Sequence, residues 1–163
     1  TIFFLSLILF AFSTLARSAF PKVSIEKKNV EICKYFISAM EASDVELINE
    51  LLAEDFKWEV VGDKTIVPTA GINDKAFTLD FFRNPLLVDG QFIVIDTVAQ
   101  NNKVAVEATY SAKMHNGTPY SNRYHFKFEL ANGKLKTMTE YIDTTLVLKA
   151  FYPQYLNFDI INK

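Results

Sequence analysis

Between residues 24 and 42 the apolar side chains Val30, Cys33, Phe36, Ile37 and Met40 recur at three- and four-residue steps, which predicts an amphipathic helix packing by that stripe. Ser43-Asp44 interrupts the pattern and can cap a shorter helix on which Leu47, Ile48, Leu51 and Leu52 share a side. Residues 56–61 read as a strand, Gly62-Asp63 as a turn, and residues 65–71 as a loop around Pro68. A third helix is expected over residues 73–83, capped by Asn73 or Asp74, burying Phe77, Phe81 and Phe82, and stopping at Asn84-Pro85. The period then shortens to two. Residues 91–99, 103–114, 120–130 and 134–146 are β-rich runs, and the Asn116-Gly117 and Asn132-Gly133 pairs between them suit tight hairpins. Helices followed by a meander predict an α+β fold, a curved antiparallel sheet with its concave face wrapped around the N-terminal helices.

The first sixteen residues follow neither period. They carry no charge, and residues 2–10 are continuously apolar apart from Ser6. The run is shorter than the roughly 20 residues that span a bilayer, and Ala16-Arg17-Ser18 puts small residues at both cleavage-recognition positions before Ala19. The expectation is a signal peptide over residues 1–18, with an uncleaved anchor or translated upstream sequence as the alternatives. One domain is then expected over residues 19–163, with an aromatic extension from about residue 149. A genuine leader implies a secreted or periplasmic protein without stable membrane association after its removal; without one, the cytoplasm is expected.

Composition narrows the partners. Half of the 163 residues are hydrophobic, so a substantial core is available. A net charge of -2 provides no basic field for a polyphosphate backbone, which argues against nucleic acid. One Cys cannot form an intrachain disulfide, and with two His it makes a poor set for zinc. No cofactor is expected, and chemistry must rest on carboxylates, phenols, amides or a lone imidazole.

Strand alternation decides which of these can meet inside. Asn122, Tyr124, Phe126, Phe128 and Leu130 form the aromatic, inward set, opposite His125, Lys127 and Glu129. In the last strand Leu135, Thr137, Thr139, Tyr141 and Asp143 fall together, opposite Lys136, Met138, Glu140 and Ile142, and the expectation is that Tyr141 and Asp143 face inward. Trp58, Tyr124 and Tyr141 would then line an apolar cavity in which Asp143, with Glu107 as a further carboxylate, is raised in pKa by burial and becomes a base near neutral pH. Asn122 or a phenol would orient a ligand carbonyl, and Phe126 would add apolar wall. Each residue also has a plainer role. Trp58 fits a core aromatic, the tyrosines a cross-strand hydrogen bond, Asp143 a turn tie and Glu107 a solvated strand face. Cys33 reads as a small core residue, and His125 and His115 as surface groups.

Several spaced segments then point to a family. Residues 39–44, 51–58, 122–128, 132–134 and 140–144 together resemble the SnoaL-like branch of the nuclear transport factor 2-like superfamily, which includes ketosteroid isomerases. The resemblance covers about residues 24–150. It implies a cone-shaped α+β barrel with a ligand pocket between sheet and helices, often dimeric through the sheet. It also implies a general base at the position of Val60 and an oxyanion-hole acid at that of Tyr124, of which the phenol alone can act. Two functions are expected. One is binding of a small apolar or aromatic carbonyl-bearing molecule, with acid/base catalysis of isomerase, cyclase, dehydratase or hydrolase type at Asp143, Tyr124 and Tyr141. The alternative is a noncatalytic ligand-binding or dimerisation module.

Overall fold

A computed structural model of the protein describes residues 23–151 apart from 66 and 68, so the expected leader and the tail beyond Phe151 lie outside the described residues. Helix α1 (Ile25–Ala42) starts where Ser24 accepts a hydrogen bond from the Lys27 N–H, and it ends at Ser43 in the left-handed region (φ 51°). Cys33, Phe36, Ile37 and Met40 are buried, as the stripe predicts. Helix α2 (Val45–Leu51) begins at Asp44, whose carboxylate accepts from the Leu47 N–H at 2.9 Å. The chain continues through β1 (Leu52–Val60), β2 (Gly71–Asp74), α3 (Lys75–Arg83), β3 (Leu87–Gln100), β4 (Lys103–Met114), β5 (Pro119–Ala131), β6 (Lys134–Ile142) and α4 (Thr144–Phe151). At the β5–β6 hairpin, Asn132 and Gly133 both take positive φ (52° and 74°), the geometry that the Asn-Gly pair allows at least strain.

The class is α+β, with some details differing from expectation. The sheet is mixed and unclosed, in the order β2-β1-β6-β5-β4-β3, because β1 lies parallel to β6 while the other neighbours are antiparallel. β2 is a short edge strand where a loop and helix start were expected, and Asp74 caps α3 by accepting from Phe77 N–H. Phe77 is 41% exposed, since α3 turns Phe81 and Phe82 towards the interior instead. β6 stops at Ile142. Residues 144–146, expected as strand, start a helix because Asp143 Oδ1 accepts from the Thr145 N–H at 2.8 Å and its carbonyl accepts from Leu146.

One register shift matters for everything inside the sheet. Leu130 faces Leu135, but Glu129 faces Thr137, so Lys136 has no partner on β5. The extra residue reverses the parity of β6 beyond it. Leu135 is buried, Lys136 turns out to an ion pair with Asp55 at 2.9 Å, and Met138 and Glu140 are buried while Tyr141 is 45% exposed. The expectation that Tyr141 and Asp143 face inward carried the parity of Leu135 through this shift and is therefore reversed.

The enclosed space is filled at one end only. There Phe36, Phe56, Phe128, Ile48, Leu52 and Leu135 are fully buried, with Phe36 edge-on to Phe128 at 6.0 Å. No described helix is long and apolar enough to cross a membrane. Replacing Phe128 with Ala should lower stability by about 3–5 kcal/mol, the cost of a core aromatic and its cavity. Replacing Asp74 with Ala should cost only about 1 kcal/mol, the value of an N-cap. Urea unfolding of the two variants beside the parent checks both, and equal losses would contradict this account of the core.

Candidate active site

At the other end the sheet and helices leave a cavity of about 370 Å³, reached by the end of α1, by α3, by α4 and by the inward faces of β1 and β3–β6. Its wall is largely aromatic. Trp58 is held against Phe81 and Phe82 of α3 at 5.2 and 6.2 Å, while Phe92, Tyr110, Tyr124 and Phe126 pack in sequence across β3, β4 and β5. Gly90 makes room for one of these rings. A Cβ there would overlap the hydroxyl and edge of Tyr110.

Among these rings lies one carboxylate that strand alternation had assigned to the outside. Glu140, turned in by the shift at Lys136, sits between Val60 on β1 and Phe126 on β5 and is only 8% exposed. Its Oε2 accepts a hydrogen bond from Trp58 Nε1 at 3.0 Å. Oε1 takes no hydrogen bond from a described residue, yet among those residues no sealed side-chain oxygen lacks a partner, so this atom borders the open cavity. Burial pushes the carboxyl up to about 7, with the Trp58 hydrogen bond opposing. Near neutral pH Glu140 is therefore present as both acid and base.

A phenol chain lies beside it. Asn122 Oδ1 accepts from the backbone N–H groups of Arg123 and Asp143 at 2.8 and 3.3 Å, which fixes the amide orientation because those groups only donate. Asn122 Nδ2 then donates to the Asp143 carbonyl and to the Tyr120 hydroxyl at 3.0 and 3.1 Å. The Tyr120 hydroxyl lies 3.1 Å from the Tyr124 hydroxyl, so the two phenols share a hydrogen bond that either can donate, and Tyr124 also borders the cavity. Burial raises the pKa of Tyr120, and that of Tyr124 well above the ordinary phenol value, with Glu140 adding to both. Tyr124 therefore stays protonated at neutral pH.

Of the residues singled out from sequence, Trp58, Tyr124 and Phe126 line this cavity. Asn122 is buried beside it, its amide committed to the protein. The others lie elsewhere. Glu107 is on the convex face, paired with Arg123. Tyr141 is on that face too, with its ring edge-on to His125 at 6.2 Å. Asp143 is exposed at the start of α4 and holds Thr145. Cys33 is a core residue, its thiol pushed up to about 12 by burial. Among the described residues no three His, Cys, Asp or Glu side chains are grouped to hold a metal. Glu140 was missed for a local reason. One signal pointed to it, since Met138 and Ile142, its neighbours two residues away, are more apolar than Thr139 and Tyr141.

The sequence resemblance implied a curved sheet wrapped around helices, and the comparisons agree on family and fold. The family model of the SnoaL-like domain matches residues 34–138. The chain belongs to the SnoaL-like family. Similar solved structures include an NTF2-like protein of unknown function from Burkholderia pseudomallei, at 13% identity with 77% of this chain and 98% of that one covered and a TM-score of 0.67. PrhC from Penicillium brasilianum is 19% identical over 77% of this chain and 87% of its own, with a TM-score of 0.68. An LEH-like epoxide hydrolase from M. tuberculosis is 16% identical over 78% and 87%, with a TM-score of 0.66. These likenesses establish the fold of this SnoaL-like chain; the reactions belong to those proteins. Comparison with curated proteins gives no match.

The raised carboxyl of Glu140 fixes how stability depends on pH. Between its ordinary value of 4.5 and its folded value of about 7, the unfolded chain releases this proton first, so stability falls as pH rises through that window and stays lowered above it. The full loss is on the order of 3 kcal/mol. In Glu140→Gln, whose amide oxygen can still accept from Trp58, the loss should disappear. Melting curves should show the variant more stable than the parent at pH 8, with the gap closing towards pH 4.5; a gap independent of pH would contradict the burial assigned to Glu140.

Proposed function

We propose that this SnoaL-like domain binds a small apolar or aromatic molecule in the open end of the cone and transfers a proton on it without a cofactor. Glu140 is the acid/base and Tyr124 the hydrogen-bond donor. The observation carrying this reading is the buried Glu140 carboxylate, held through one oxygen by Trp58 and presenting the other to the cavity. A base in such a place needs little reorganisation, and Trp58 restricts it to one orientation. When Glu140 removes a proton next to a carbonyl, negative charge develops on the oxygen, and the hydroxyl of Tyr124 is the group suited to receive it. The reverse transfer from protonated Glu140 serves a second step, so isomerisation, dehydration and ring closure are all within this chemistry. Asn122 and Tyr120 act through Tyr124 as positioning residues.

The convex face supports homodimerisation as part of the same reading. Ile93 and Val98 of β3 and Tyr141 of β6 are 59%, 65% and 45% exposed there, more apolar surface than a solitary sheet face calls for. Val98→Glu should halve the apparent mass by analytical ultracentrifugation, and a parent that sediments as a monomer would remove the dimer from this proposal.

The acid/base assignment is tested with 5-nitrobenzisoxazole, an apolar probe that opens when a base takes its C–H proton and the N–O bond breaks to a phenoxide. Turnover should rise with pH around a midpoint near 7, as Glu140 ionises. Glu140→Gln should reduce it by about a hundredfold or more, the usual worth of a general base. Tyr124→Phe should give a smaller loss, about tenfold, from the phenoxide side. If the probe quenches the fluorescence of Trp58, the chain's only Trp, while Glu140→Gln turns it over as fast as the parent, the noncatalytic binding module is the better reading.

A further inference from the structure

The charge of the cavity wall is one-sided. Its described residues include three carboxylates, Glu41, Asp89 and Glu140, and nine aromatic rings, but no Lys, Arg or His. A wall of this kind has nothing to pair with a ligand carboxylate or phosphate. The three carboxylates are not equivalent. Asp89 is neutralised by Lys113, whose Nζ lies 2.9 Å from it outside the cavity. Glu140 is deep, next to Trp58. Glu41 is at the exposed end of α1, pinned by the Phe92 N–H at 2.7 Å and close enough to Tyr110 to raise the pKa of that phenol. It has no cationic partner among the ion pairs of the described residues. The rings of Tyr110 and Phe92 stand beside it with centroids 4.3 Å apart.

From this arrangement we infer that the ligand is an apolar molecule carrying a cationic nitrogen, a tertiary or quaternary ammonium group seated at the rim against Glu41, Tyr110 and Phe92. Its body enters the cavity towards Glu140. A carboxylate on a rim of aromatic residues is an environment that favours a weakly hydrated cation. The rim suits it better than the deep end for two reasons. A cation at the rim keeps part of its hydration, so the desolvation cost that makes buried ion pairs unprofitable is smaller. A cation against Glu140 would also hold that carboxyl ionised and remove the acid that the proposed reaction needs. The inference rests on the cavity reading above, but adds to it the charge of the ligand and the residue that selects it.

Three probes test it: phenyltrimethylammonium, its neutral isostere tert-butylbenzene, and 4-tert-butylbenzoate, which adds a para carboxylate to that isostere, each titrated against Trp58 fluorescence at pH 8 and low salt. The cation should bind at least about tenfold more tightly than the isostere, and the anion more weakly than either. Glu41→Gln keeps an oxygen for the Phe92 N–H, so the fold should survive. It should lower the cation-to-neutral ratio by about fivefold or more, chiefly through weaker binding of the cation. A neutral probe that binds as tightly as the cation, or a ratio that Glu41→Gln does not move, overturns the inference. If in that case the benzisoxazole is still turned over through Glu140, the acid/base reading stands and only the ligand charge is wrong. If none of the three probes binds and the benzisoxazole is inert, both readings fall.

Discussion

A single unpaired residue in a central strand sets the chemistry of this protein's interior. Lys136 has no counterpart on β5, and pairing resumes one residue out of step. Side chains alternate along a strand with a period of two, so a slip of one residue exchanges the faces of everything after it. Met138 and Glu140 are thereby turned towards the helices, and Tyr141 towards the convex face. The extra residue is accommodated because Lys136 is long and charged, projects outwards, and meets Asp55 of β1. The same neighbourhood is irregular on the other side, where the pairing of β1 with β6 also changes register between Leu52 and Lys57.

The second feature is the division of the enclosed space. Phe36, Phe56 and Phe128 are fully buried at the closed end, and that burial, with α1 lying across the sheet, supplies much of the hydrophobic stabilisation of the domain. The open end can then remain hollow. Its rings are backed by α3 and by the hydrogen-bonded chain through Asn122, and Gly90 leaves room for Tyr110. The unfavourable burial of Glu140 is compensated by this surplus elsewhere and by the Trp58 hydrogen bond. Stability is given up at one position, and a group with acid and base character at neutral pH is obtained.

Much of the fold was legible in the chain. The stripe of Cys33, Phe36, Ile37 and Met40, the caps at Asp44 and Asp74, the Asn-Gly hairpins and the aromatic inward set of β5 are local or strictly periodic signals, and each appears in the structure. The candidate site was legible in part. Trp58, Tyr124 and Phe126 were found from alternation in runs without irregularity. Glu107 was ambiguous because a carboxylate on a strand satisfies either face, and its outward direction followed only from the Arg123 side chain beside it on the neighbouring strand.

What the sequence determined by itself was the family and class, the boundaries of α1, α2 and α3 to within about two residues, the mildly acidic balance and the wealth of aromatic rings available for a pocket. These follow from short-range rules that each segment obeys alone. What the tertiary structure decided was which carboxylate is buried and that β1 runs parallel to β6. Each depends on pairing between distant segments, where one residue of register decides between a solvated face and an apolar interior, and no local pattern in β6 carries that count.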